Sequence, residues 1–194
     1  MNRHRIAILC LVSCAIDFAF CQTSVRSQVE SVLDAGGGRE KGHELVSKIS
    51  DHPVPLLMSI AQSTQDSYVR RTRAIYLLAT FKTKESELAL SELTTHSGPE
   101  YRCPALQALV EIRSQDAIPL LINSLDDRAV CMHATLTDPA RAQEVYVADE
   151  AVRLLEQVTG QSFGHVLANG HRATKPCKKW WVRQKANAEP SAEK

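Results

Sequence analysis

One stretch of this sequence repeats itself. Moved forward by 31 positions, Ala74 falls on Ala105, Leu78 on Leu109, Phe81 on Ile112 and Glu85 on Asp116. The first copy reads as a helix from Tyr68 to Phe81, with Ala74, Ile75, Leu77, Leu78 and Phe81 at helical spacing. A turn at Lys82-Thr83-Lys84 leads to a second helix, Glu85 to Leu93, carrying Leu88, Leu90 and Leu93. The second copy runs from Tyr101 to Ile112, turns at Ser114-Gln115-Asp116, and continues from Ala117 to Leu125. One such pair of helices cannot bury its apolar face alone, so successive pairs must stack. Small residues at Ala74 and Ala105 let paired helices approach closely. The pattern predicts an all-α fold, an α-solenoid of helical hairpins, with a plain helical bundle as the alternative.

Upstream, Val25, Val29, Val32 and Leu33 mark a helix that Ser24 could cap, ended by Gly36-Gly37-Gly38. Those glycines are expected to be a hinge, since no Gly-Lys-Ser/Thr follows them. Helices are also predicted over Lys41 to Ile49 and Pro53 to Ala61. His43-Glu44 hints at a zinc-protease helix, but Ser47 stands where a second His is required.

The helix pattern Ala-x-x-(Leu/Ala)-Leu-x-x-(Phe/Ile), the acidic turn, and above all Asp116-Ala117-Ile118-Pro119-Leu120-Leu121 resemble bacterial HEAT repeats. The type is the short one also seen in phycobilisome lyase-like proteins, and the resemblance covers residues 40–126. Glu85 to Leu93 lacks the proline. Farther on, Thr159-Gly160-Gln161-Ser162-Phe163-Gly164 followed by Lys179-Trp180-Trp181 resembles the closing segment of exported bacterial HEAT-repeat proteins. The resemblance implies an interaction scaffold and no particular chemistry. This chain departs from the family in a long insert, His165 to Pro176.

Between the repeats and that closing segment the periodicity changes. Ala129 to Thr135 and Glu144 to Val147 read as two strands of a short β-hairpin within 129–147, around a Thr137-Asp138-Pro139 turn. Ala148 to Val158 is helical again. The expected layout is a repeat domain over 24–164, a basic cap over 165–186 and a disordered tail over 187–194. In the cap, Phe163, Trp180 and Trp181 fold back to cover the last apolar face.

Composition limits the function classes. The net charge is +1 over 194 residues, so the whole chain has no strong field. Aromatics are 5%, so the core must be aliphatic. Cations nevertheless gather near the C-terminus, where Lys178, Lys179 and Arg183 surround Trp180 and Trp181. These five are the candidate binding residues, for an anionic lipid or polymer surface; a nucleic-acid partner is not expected. The competing reading is a solvated cap with the Trp pair buried.

The N-terminus places Arg3, His4 and Arg5 before the apolar run Ile6 to Val12, the pattern of a signal peptide over 1–21. The run is short of the roughly 20 apolar residues that span a bilayer. Leu11-Val12-Ser13-Cys14 resembles a lipobox with Cys14 as the lipidated residue, whereas cleavage after Cys21 would release a soluble chain. Export to the envelope or beyond permits a disulfide. Cys103 with Cys131 is the first choice, and buried free thiols are the alternative. No metal site is expected, because Cys131 and His133 are the only close Cys/His pair. No cofactor fingerprint or nucleophile elbow is present. The expectation is therefore a non-catalytic scaffold for another protein or peptide. The alternatives are a surface-tethering protein and an enzyme with an unrecognised site.

Overall fold

A computed structural model describes residues 25–96, 98–134, 143–164 and 170–188. The signal-peptide reading and Cys14 lie outside the described residues, as does the tail beyond Ala188. The described chain is all-α apart from one two-stranded sheet. It falls into two compact units that divide between Thr80 and Phe81.

The first unit holds helix α1 over 25–35, α2 (Arg39–Ile49), α3 (Pro53–Gln62) and most of α4 (Tyr68–Phe81). Pro53 opens α3 at a position where its missing N–H leaves nothing unpaired. Val29, Val46, Leu57, Ile60, Ala74, Ile75 and Leu78 have no solvent exposure and form its core.

The second unit begins with α5 (Lys84–Leu93), α6 (Pro99–Glu111), α7 (Ala117–Asn123) and a 3-10 turn (Ser124–Asp126). A hairpin follows, β1 (Val130–Ala134) and β2 (Gln143–Tyr146), antiparallel with a bulge between Val130 and Met132. The described chain continues through α8 (Val147–Thr159) and α9 (Lys175–Ala188). Pro99 takes the first helical position of α6, so that helix starts two residues earlier than its apolar pattern predicts. Helix α7 tightens into the 3-10 turn, so it ends at Asn123 and not at Leu125.

The repetition seen in the sequence reaches the backbone. Lys82 and Arg113, 31 residues apart, are the only non-glycine residues with positive φ among the described ones, at 51° and 56°. Each follows the first helix of a pair. Thr83 and Ser114 come next, and each supplies a side-chain oxygen to the following turn. Thr83 Oγ1 accepts from the Ser86 amide at 3.1 Å, within a capping box, and Ser114 Oγ accepts from the Asp116 amide at 3.3 Å.

The scheme recurs a third time. Ala105 and Leu109 correspond to Ala151 and Leu155, all fully buried, but now 46 residues apart. Helix α8 packs on α6, as the first helix of the next pair must. Helix α9 packs on α7, as its second helix. The added length is the hairpin, which leaves the stack after the 3-10 turn and returns at α8. Residues predicted as an aromatic cap are thus the second helix of a further pair.

Candidate functional site

Helix α9 gathers all five predicted binding residues and sorts them onto two faces. Pro176 sits in its first turn, and the Lys178 amide closes that turn on the Thr174 carbonyl at 3.2 Å. Cys177 points inward and is fully buried. Trp180 and Trp181 flank that buried side and are half-buried, with Trp180 edge-on to Phe163 at 5.6 Å between centroids. Lys179 and Arg183 face solvent. Lys178 is engaged by Asp126 at 2.5 Å and 2.6 Å to its two oxygens. Lys185 lies 5.4 Å above the Trp181 ring.

The turn that brings Phe163 to this helix is anchored on one carboxylate. Gly160 closes α8 in the left-handed region at φ 66°. Glu156 Oε1 then accepts from the amides of Phe163 at 2.9 Å and Gly164 at 3.3 Å. Its other oxygen accepts from Arg172 Nη1 at 2.6 Å. Burial pushes the Glu156 carboxyl up, but the two amides and Arg172 outweigh it and hold it below its ordinary value. The Thr-Gly-Gln-x-Phe-Gly segment is therefore a turn folded around an acid from the preceding helix.

Beside it stands a His–Asp pair. His171 Nδ1 lies 2.9 Å from Asp149 Oδ2, and the Arg172 amide donates to Asp149 Oδ1 at 2.6 Å. The Tyr146 ring meets His171 edge-on at 4.3 Å. Tyr146 donates to Glu144, whose hydrogen bond and charge push the phenol above its ordinary range. Burial likewise pushes the Cys177 thiol up to about 11. Both shifts disfavour the anionic, nucleophilic forms, so neither side chain is primed for covalent chemistry. Among the described residues no group of three or more His, Cys, Asp or Glu could hold a metal ion.

Cys103 of α6 and Cys131 of β1 form a disulfide with their Cα atoms 6.1 Å apart. It staples the hairpin to the first helix of a repeat. Near it, Arg102 donates to the His96 carbonyl at 2.9 Å and pairs with Asp127 at 2.9 Å, which fixes the chain on both sides of the α6–α7 pair.

Two clefts among the described residues, one in each unit, bear on function. In the second unit a cleft of about 540 Å³ lies between the α6–α7 turn and the end of α8. Val110, Ile118 and Val158 supply apolar wall, while Arg113, Gln115 and Gln157 supply polar groups. In the first unit a smaller cleft of about 210 Å³ surrounds Gly36 to Gly38. Its arginines are occupied: Arg73 donates to the Leu33 and Asp34 carbonyls at the end of α1, and Arg39 lies over the Tyr76 ring at 4.3 Å. His43 of the same unit sits 2.9 Å from Thr80 Oγ1.

Sequence reasoning missed the charge network of the first unit. Arg70 donates to Asp34 at 2.6 Å and to Asp66 at 2.6 Å, and Arg26 reaches Glu30 and Asp66, each at 2.6 Å. The available signal was Arg26, Glu30 and Asp34 at four-residue intervals, one face of α1. Burial pushes the Asp66 carboxyl up, but hydrogen bonds from Arg70 and Ser63, with the charge of Arg26, hold it below its ordinary value. No described helix is long and apolar enough to cross a membrane.

Residues 54–136 match the family model for HEAT repeats. No curated protein and no solved structure matches the chain. HEAT repeats generally mediate protein–protein interaction or scaffolding.

Proposed function

Taking residues 54–136 as HEAT repeats, we propose that this chain is a non-catalytic scaffold of the bacterial cell envelope that receives an extended segment of another protein. The cleft between the α6–α7 turn and the end of α8 is the seat of that segment. The observation that carries the reading is the composition of this cleft. It is the roomier of the two clefts described above, it belongs to the stacked repeats, and its wall divides evenly between apolar side chains and side-chain donors and acceptors. Such a lining suits an extended peptide, whose side chains need apolar contact and whose backbone needs hydrogen bonds. Val158 at its edge is 40% exposed. The envelope setting rests on the basic and then apolar N-terminal sequence, Arg3 to Val12.

The test is a photo-crosslinking amino acid at Gln157 in the chain expressed with its own N-terminus. One envelope protein should be captured there and not from a control position at Glu111, which lies outside that cleft. Val158→Asp should then weaken binding of the purified partner at least about tenfold, since it puts a charge into an apolar contact. Equal capture from both positions, or unchanged affinity of Val158→Asp, would refute the proposal. Capture only from cytosolic fractions would refute its envelope part.

A further inference from the structure

We infer that the outer face of α9, built from Lys175, Lys179, Val182 and Arg183, docks the second unit on an anionic phospholipid surface. The three cations stand four residues apart, one per turn, and so form a single stripe. All three are exposed, and among the described residues none of them has an ion-pair partner. Lys178 differs, because Asp126 holds it through both carboxylate oxygens. The helix itself contains no acid.

Such a stripe is unfavourable for the helix that carries it. Like charges one turn apart repel. Lys175 also opens the helix, where the dipole is positive and no acid stands in the first turn. The buried Cys177 and the contact with α7 fix the inward side, so the stripe is held outward. An anionic surface laid along it removes both penalties.

Two features select a bilayer over a nucleic acid. Val182 lies between Lys179 and Arg183 and is, at 66%, the most exposed large hydrophobic residue among the described ones. Ringed by cations, it enters the headgroup layer while they meet the phosphates. Unpaired bases would instead need open aromatic faces to stack on. Both tryptophans are engaged: Trp180 meets Phe163 edge-on at 5.6 Å, and Lys185 lies 5.4 Å above the Trp181 ring. Lys178, Trp180 and Trp181 therefore hold α9 to the fold, and the lipid contact falls to the other side. None of the four docking residues lines the cleft assigned to the peptide. With three cations in contact, the docking is reversible and salt-sensitive.

Co-sedimentation of the purified full chain with vesicles tests this. One set is phosphatidylcholine with about one third phosphatidylglycerol, the other phosphatidylcholine alone. The anionic vesicles should bind at least about tenfold more tightly at about 0.05 M salt, and that preference should vanish at about 0.5 M. The apolar run Ile6 to Val12 is common to every variant, and its contribution is read from the phosphatidylcholine vesicles. Lys179→Glu with Arg183→Glu should abolish the preference. Lys41→Glu with Lys82→Glu alters two exposed cations outside α9 by the same net charge and should keep the preference within about twofold, since the surface field fades within a Debye length. Val182→Ser, which leaves the charges in place, should weaken binding to the anionic vesicles. Far-UV circular dichroism verifies that each variant folds. No preference for phosphatidylglycerol overturns the inference, as does equal loss in the two charge-reversed pairs, which would reduce the effect to net charge. Unchanged binding of Val182→Ser overturns it too. Single-stranded DNA that strips the chain from the vesicles at equal phosphate concentration also overturns it and assigns the face to nucleic acid.

Discussion

Glu156 shows how much one side chain can organise. It stands in the last turn of α8, folds the following turn by accepting from two backbone amides, and holds Arg172 from the next segment. Glu156→Ala should destabilise the second unit by about 2 kcal/mol, because the part-buried Phe163 amide and Arg172 lose a charged acceptor; urea unfolding measures it. The pH dependence has a defined sign. The folded-state carboxyl is held below its ordinary 4.5, so its contribution is full above that value and is lost as pH falls through the lower, folded one. Glu156→Gln should therefore flatten the stability profile below about pH 4.5 relative to wild type. The Thr-Gly-Gln-x-Phe-Gly turn was legible in the sequence, but its anchor was not. An acid seven residues before Phe163 reads as a surface charge until the backbone path is known. The candidate binding residues were legible only as a group. Sorting Trp180 and Trp181 from Lys179 and Arg183 required knowing which side of α9 meets α7.

At the level of elements, helix starts are set by local chemistry and interruptions by tertiary packing. Thr83 caps α5 through a reciprocal pair of hydrogen bonds with Ser86. Thr83→Ala should cost about 1 kcal/mol, read as a lower urea midpoint at constant slope. The Cys103–Cys131 bridge closes a separation of 28 residues. Its removal in the double Ser variant should cost about 3.5 kcal/mol in the chain-entropy account, and denaturation of the oxidised and reduced wild type should differ by a similar amount. The hairpin was readable because its period drops to two within a helical context. The third pair was not readable, because that hairpin stretches the interval between equivalent positions from 31 to 46 residues and hides the repeat. The two positive-φ residues were equally hidden, since neither Lys82 nor Arg113 advertises a left-handed conformation.

For the whole molecule, aliphatic stacking dominates. Leu154 and Leu155 of α8 are fully buried, and α8 packs on both α6 and α7. Leu155→Ala should cost about 2–5 kcal/mol. Both tryptophans lie on α9, so the loss should register in tryptophan emission at the same denaturant concentration as in the helical signal of the second unit. Separate midpoints within that unit would mean that α9 is only loosely attached. The all-α class followed from one apolar period, because a short amphipathic pair has no stable existence apart from its neighbours.

The pairing of Val130 with Tyr146 has an architectural consequence. The detour between two repeats departs and re-enters through adjacent doors, so the path beyond it is independent of how far the detour travels. The sequence between the two paired strands is therefore the natural place to lengthen, shorten or replace residues, for instance to splice in a reporter, without disturbing the register of the helices downstream.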